Sequence, residues 1–440
     1  NELCITWMNR LQNLLRLILI DTRTDKHRLL LEEKNNYYIE LSDHLTFSKD
    51  GKYFYWSSEK DGTNQLYRYS IDGRLVNQIT TGDHELTEFY GLNDDQTIAF
   101  YQRAEDRGRE RKIYRIGVDG KGNQCITEAA GVHLAKMSKG GYYFVLSSST
   151  VDRPPVHSIV DQNGQLVRVI EDNAALKDRV AQYIYSPAQL GTIINRNGDQ
   201  LNSLMIKPQN FDSAKKYPVL MFLYGGPGSQ QVMNRWAGIS QFWWHQMLAQ
   251  KGYIIVVVDN RGTGGRGEQF KKLTYGQLGK FETEDQIDAA RYLGTLSYID
   301  SRRIGIFGWS YGGFMSSLCL LKGNYVFKSA IAVAPVTNWK WYDSVYTERY
   351  MGLLADHRQG YEDNSPVYFA DRLKGNYLLV HGLADDNVHY QHTAEMSKEL
   401  IRHKKQFDTY VYPNRNHGIY GDNATIHLFT KMTNFVFEKI

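Results

Sequence analysis

The chain has 440 residues, 42% of them hydrophobic and 23% charged, an ordinary globular composition long enough for two or three domains. Its 52 basic and 48 acidic residues leave a net charge of +4 without a concentrated basic stretch, which argues against a nucleic-acid partner. Three widely spaced cysteines, Cys4, Cys125 and Cys319, draw neither a disulfide framework nor a zinc spacing, and no apolar run reaches the roughly 18 residues of a membrane span.

The first residues, Asn1 to Trp7, read like the middle of a β-strand, with no initiator methionine and no signal-peptide order. The chain is therefore expected to be part of something longer. From there to about residue 178 short alternating strands are punctuated by turns. Phe47 to Trp56 is a turn feeding a strand, and Gln65 to Ile71 is a strand ending in Asp72-Gly73. The ending recurs at Asp119-Gly120 and Asn163-Gly164, about 45 residues apart each time, the period of a four-stranded propeller blade. Three blades are clear, and residues 3 to 35 form a partial or complete first one. An irregular β-sandwich is the alternative. Because an unclosed propeller exposes sheet edges, further blades are expected upstream.

After residue 179 the pattern changes. Val219 to Tyr224, Ile254 to Val258 and Tyr377 to Val380 are continuous apolar runs, as in parallel strands covered on both faces. Glu282 to Leu293 has helical spacing, with acids in its first turn. Strand and helix in alternation predict a doubly wound, mostly parallel α/β sheet over 179–440. The 31 tyrosines suit both half-buried strands and aromatic pockets.

Within this second part the strand-like Ile304 to Phe307 leads into Gly308-Trp309-Ser310-Tyr311-Gly312. This is the nucleophile-elbow pattern, in which a strained turn exposes a serine hydroxyl and the crowded backbone admits only glycine beside it. A serine hydroxyl is a weak nucleophile until an imidazole takes its proton and a carboxylate fixes the imidazole's tautomer. In the order expected of an α/β hydrolase, Asp385 or Asp386 lies in the loop after Tyr377 to Val380, and His417 follows the strand Thr409 to Tyr412. The remaining histidines are weaker candidates: His381 is expected to be packed or hydrogen-bonded at a strand end, and His389 with His392 lacks a third metal ligand. No metal or cofactor is implied. The oxyanion hole is expected to use the backbone N–H of Tyr311 and a second donor from Tyr224-Gly225-Gly226-Pro227-Gly228, either a backbone N–H or the Tyr224 hydroxyl.

Gly308 to Gly313, Ala334-Pro335-Val336-Thr337-Asn338-Trp339, Tyr342 to Gly352 and His381 to His389 together resemble the dipeptidyl peptidase IV group of the prolyl oligopeptidase family. The likeness is strongest from about residue 200 onward and continues, more weakly, through the β repeats. It implies an α/β-hydrolase domain behind a β-propeller. It selects Asp385 as the acid and the Tyr224 hydroxyl as the second oxyanion donor. It further implies a proline-shaped pocket of Val336, Trp339, Tyr342, Tyr346 and Val388, with Asn387 on the substrate carbonyl. An aromatic box suits a flat pyrrolidine ring with no N–H to satisfy. The implied activity is release of N-terminal X-Pro or X-Ala dipeptides through an acyl-enzyme on Ser310.

Related tripeptidyl, acylaminoacyl or oligopeptidase activities are the alternatives, as is a weakly active portion lacking the family's paired glutamates for the substrate amino terminus. Glu32-Glu33 is the only adjacent glutamate pair and falls in the wrong repeat, so it is read as a solvated strand end. A non-catalytic interaction protein is disfavoured by the intact Ser310, Asp385 and His417. Peptide partners, a homodimer and a periplasmic or extracellular location, in a bacterial source, are implied by the same resemblance.

Overall fold

In the computed structural model, which describes residues 2–183 and 185–440, the chain divides into two compact units. One comprises 1–178 together with 233–236 and 264–272; the other comprises 179–232, 237–263 and 273–440.

The first unit is a β-propeller portion. An antiparallel three-stranded sheet (Glu2–Met8, Leu14–Asp21, His27–Lys34) is followed by four-stranded arrays starting at Thr46, Leu86 and Val132. A single parallel bridge, Arg111 with Val132, joins the last two. Alternation explains the stacking. In the strand Tyr53–Ser58, Phe54 and Trp56 enter a core shared with Leu15, Leu17 and Leu30, whereas Tyr55 enters one shared with Leu86, Tyr101 and Tyr114. Successive residues point to opposite faces, so a single strand serves two cores.

The recurring turn glycines have a second purpose beyond their φ of +88° at Gly73 and +85° at Gly164. A Cβ on Gly73 would lie 2.4 Å from the Leu30 carbonyl oxygen, and one on Gly164 would lie 2.3 Å from that of Ile126. The repeat thus marks where one array presses on the backbone of the preceding one.

Glu32 is exposed and pairs with Arg16 and Lys34, but Glu33 is not a solvated strand end. Its carboxylate accepts from Trp56 Nε1 at 2.8 Å and Ser58 Oγ at 2.7 Å. Strand alternation sends the two neighbours to opposite sides, one to water and one into the neighbouring array.

The second unit is an α/β hydrolase. Its sheet comprises β1 (Ala188–Ile194), β2 (Gln200–Ile206), β3 (Tyr217–Leu223), β4 (Ile254–Asp259), β5 (Ile299–Trp309), β6 (Ser329–Val333), β7 (Asn376–Gly382) and β8 (Asp408–Tyr412). The spatial order is β1-β2-β4-β3-β5-β6-β7-β8. The first two strands run antiparallel and the other six pair in parallel. Every residue of β3, β4 and β6 is buried, as the continuous apolar runs require when helices cover both faces. Six helices matter to the site: α1 (Phe242–Gln250), α2 (Lys280–Thr295), α3 (Tyr311–Lys322), α4 (Ser344–Met351), α5 (Gln391–Arg402) and α6 (Ala424–Lys439). The carboxyl ends of β3, β5, β7 and β8 carry the candidate chemistry.

Candidate active site

Ser310 lies between β5 and α3 with φ +59° and ψ −118°, a conformation that a residue with a Cβ adopts only under strain. Its backbone N–H donates to the Val333 carbonyl at 2.8 Å, which ties the turn to β6. Close approach explains the flanking glycines. A Cβ on Gly308 would sit 2.1 Å from the Gly312 oxygen, and one on Gly312 would sit 2.3 Å from the Leu223 oxygen. Substitution at either position would push the elbow off the sheet.

The loops after β7 and β8 are zipped together. Leu383 N–H donates to the Tyr412 carbonyl at 2.9 Å and Ala384 N–H to that of Arg415 at 3.0 Å. Gly382 makes this possible, since a Cβ there would stand 2.4 Å from the Arg415 oxygen. The result brings Asp385 Oδ2 within 2.7 Å of His417 Nδ1. Asp385 Oδ1 accepts the backbone N–H groups of Asn387 at 3.0 Å and Val388 at 2.9 Å.

Burial works to raise the Asp385 pKa, but hydrogen bonds from His381 and His417, the His417 charge and the Asn387 N–H outweigh it. The carboxyl is therefore held well below the usual range, ionised and acceptor-only, as an orienting acid needs. Asp386 is exposed.

His381 is packed as anticipated, with added detail. Its Nε2 lies 2.7 Å from the Val388 carbonyl and 3.3 Å from Asp385 Oδ2. Both neighbours are acceptors, so Nε2 carries the proton. Of the other two histidines, His389 is exposed, whereas His392 is buried and its Nδ1 accepts from Thr337 N–H at 3.0 Å. Among the described residues no group of histidines, cysteines and acids is placed to hold a metal ion.

Tyr224 follows β3, and its ring meets that of Tyr311 at 5.9 Å between centroids. Buried Asn260 steadies this loop by donating to the Gly225 carbonyl at 3.1 Å. The aromatic residues named from sequence form one cluster. Trp339 stacks on Tyr346 at 6.1 Å, and Tyr342 meets Trp339 at 6.0 Å and Tyr346 at 5.4 Å, both edge-on. Tyr342 Oη donates to Asn387 Oδ1 at 2.7 Å, joining the cluster to the loop that bears Asp385. Val336 and Val388 are fully buried.

Residues 239–440 match the model of the prolyl oligopeptidase family, and residues 1–155 match that of the dipeptidyl peptidase IV N-terminal region. Prolyl endopeptidase FAP of Mus musculus is 33% identical over 457 residues, covering 99% of this chain and 59% of that protein. Dipeptidyl peptidase 4 of Felis catus is 37% identical over 403 residues, covering 89% and 52%. The crystal structure of Porphyromonas gingivalis dipeptidyl peptidase 4 superposes over 100% of this chain and 62% of its own with a TM-score of 0.96 at 39% identity. A putative dipeptidyl aminopeptidase IV from Bacteroides ovatus gives 0.93 at 30% identity, with 65% of that chain covered.

The chain belongs to the prolyl oligopeptidase family. It spans between about half and three-fifths of the length of the curated relatives it matches. Several residues that hold the site together carry little or no signal in the sequence. Trp309 Nε1 donates to the His417 carbonyl at 3.0 Å, linking the elbow to the histidine loop. Asp343 caps α4, its side chain accepting from Tyr346 N–H, and so fixes the helix that presents Tyr346. An aspartate directly before a helical run is a readable capping signal; the indole bond has no local signature.

Proposed function

We propose that the protein is a serine exopeptidase that releases dipeptides with proline or alanine in second position from peptide amino termini. One observation carries the reading: the Asp385–His417 pair adjoins the Trp339, Tyr342 and Tyr346 cluster through the Tyr342–Asn387 hydrogen bond. The relatives named dipeptidyl peptidase 4 support the same reaction.

The chemistry follows from the groups in hand. His417 Nε2 takes the Ser310 hydroxyl proton as Oγ bonds to the acyl carbon, and Asp385 holds the imidazole through Nδ1–H. The oxyanion is met by the Tyr311 N–H and the Tyr224 hydroxyl, which burial keeps protonated. Collapse breaks the C–N bond, and His417 returns the proton to the leaving amine. Water then attacks the ester, with His417 again as base. The pocket of Val336, Trp339, Tyr342, Tyr346 and Val388 receives the pyrrolidine ring, and Asn387 binds the carbonyl of the preceding residue.

A fluorophosphonate probe should label Ser310 in the full-length protein. Ser310→Ala should abolish both labelling and cleavage of a Gly-Pro chromogenic substrate, and cleavage that survives the substitution defeats the mechanism. A prolyl endopeptidase is the second reading, favoured by the match to prolyl endopeptidase FAP along 99% of this chain. Product masses from an N-acetylated and a free peptide separate the two. We also place the protein outside the cytoplasm and expect it to be a homodimer. A monomer mass by light scattering refutes the assembly.

A further inference from the structure

Behind the elbow lies a buried acid that the proposed reaction does not use. Glu282, in the first turn of α2, is 0% exposed, and its Oε1 accepts from the Tyr311 hydroxyl at 2.8 Å. Its Oε2 has no hydrogen-bond partner among the described residues. Three residues on, Asp285 is equally buried but has Arg261 Nη2 at 2.8 Å. One helix thus carries two buried acids, one answered by a cation and one answered by a phenol. Burying a carboxyl without a cation is costly, and for packing alone an apolar side chain would serve as well. What the carboxyl adds is direction: beside the backbone N–H groups at the start of α2, its Oε1 takes the Tyr311 hydroxyl.

That atom belongs to the residue directly after the nucleophile. The Tyr311 ring meets Tyr224 at 5.9 Å, Trp339 at 5.6 Å and Phe314 at 5.2 Å. A Cβ on Gly226 would stand 3.2 Å from Tyr311 Cγ, so the loop after β3 lies flat against the same ring. Tyr311 is therefore the joint at which that loop, the start of α3 and the aromatic cluster meet. A rotation about its side-chain bonds would disturb all three.

We propose that Glu282 is a positioning residue of the oxyanion hole: by holding the Tyr311 hydroxyl it fixes together the Tyr311 backbone N–H, the Tyr224 ring and the Trp339 wall. The inference rests on the serine-peptidase reading above. The surrounding charges agree with it. Burial pushes the Glu282 carboxyl up to about 7, opposed by backbone N–H groups and the Tyr311 bond, with the Asp285 charge adding to the rise. The titratable groups around it are Tyr311 and Cys319 on α3, Tyr346 on α4 and Asp285 on its own helix. Burial and the nearby carboxyl keep the Tyr311 hydroxyl protonated far above neutrality. In either charge state, then, Glu282 Oε1 can accept and Tyr311 can donate.

The test compares full-length wild type with Glu282→Gln, Glu282→Leu and Tyr311→Phe, reading kcat and KM on a Gly-Pro chromogenic substrate, the rate of fluorophosphonate labelling and the Tm. Glutamine keeps an acceptor at the Oε1 position, so Glu282→Gln should stay within about threefold of wild type. Glu282→Leu and Tyr311→Phe should each lower kcat and the labelling rate about tenfold or more, with KM changed less than about threefold, the signature of a contact felt in the transition state. If Glu282→Leu does not fold, Tyr311→Phe decides, because it removes a single oxygen and keeps the ring. Wild-type kcat in Tyr311→Phe overturns the inference, as does equal loss in Glu282→Gln and Glu282→Leu. A wild type that labels at Ser310 but leaves Gly-Pro intact defeats only the substrate assignment, and the labelling rates still decide the role of Glu282. A wild type that does not label defeats the serine mechanism and this inference together.

Discussion

The propeller portion and the hydrolase unit bury polar side chains to different ends. In the propeller they bond along and between strands: Gln102 Nε2 donates to the His133 carbonyl at 2.6 Å, Thr127 Oγ1 accepts from Ile113 N–H at 2.8 Å, and Thr80 Oγ1 accepts from Leu66 N–H at 2.9 Å. These bonds complete ladders that short strands leave unfinished. In the hydrolase, β3, β4 and β6 bury mostly apolar residues, and the candidate catalytic groups meet in the loops at the strand ends, where Asp385 receives two backbone N–H groups and two imidazoles. One arrangement joins strands and the other aims groups at a point. Substitutions in the first should therefore register as stability and in the second as rate.

The largest effect tests the aimed set. Asp385→Asn keeps the shape but can donate to His417 Nδ1, stabilising the wrong tautomer, and kcat should fall by about 10⁴-fold in a protein that still melts cooperatively. Steady-state kinetics beside a melting curve checks both halves, and a large loss of Tm with kcat retained would reverse the assignment. Next in size, Tyr224→Phe removes one oxyanion donor and should lower kcat by about 10²-fold to 10³-fold, or about 3 kcal/mol. An unchanged kcat would return the role to a backbone N–H of the Gly225-Gly226 loop, the alternative that spacing alone left open.

Glu282 blurs the division, since its burial acts on stability and its contact on rate. Its folded pKa lies above the usual carboxyl value, so the native state holds a proton that the unfolded state has already released. The stability it contributes is complete below the unfolded pKa of about 4.3 and is lost as pH rises through about 7, a change on the order of 3 kcal/mol. Glu282→Gln has no such term. Its Tm advantage over wild type should therefore grow between roughly pH 5 and pH 8. A constant gap across that range would mean that Glu282 is ionised throughout.

What could be read from sequence divides along the same line. The elbow and the continuous apolar strands are local patterns, each set by a few neighbouring residues, and the elbow in turn points downstream to a strand-end acid and histidine. The blade period was legible for the same reason, through Asp72-Gly73, Asp119-Gly120 and Asn163-Gly164. The contacts that hold these parts in place join distant residues: Trp309 to His417, Glu282 to Tyr311, Gly382 to the Arg415 carbonyl. Nothing near Glu282 distinguishes it from an ordinary acid in the first turn of a helix, and only its partner does. Glu33 shows the converse. Paired with Glu32 it looked solvated, but its destination is set by a strand more than twenty residues away, carrying Trp56 and Ser58.

Glu33 also gives the mildest test of the comparison. Its carboxylate is half-buried, and burial raises its pKa against the bonds from Ser58 and Trp56 and the charge of Lys272, with Glu59 adding to the rise. Glu33→Ala would leave the Trp56 indole N–H and the Ser58 hydroxyl without their acceptor in a site closed to water on one side. The cost should be about 2 kcal/mol, seen as a lower Tm, and Glu33→Gln, which keeps one acceptor, should lose about half of that. Neither change should alter kcat on a Gly-Pro substrate, because Glu33 ties one array to the next and is aimed at no reacting atom. A kcat that falls while Tm holds would mean that this carboxylate acts on substrate, and the separation between joining and aiming would no longer follow the boundary between the units.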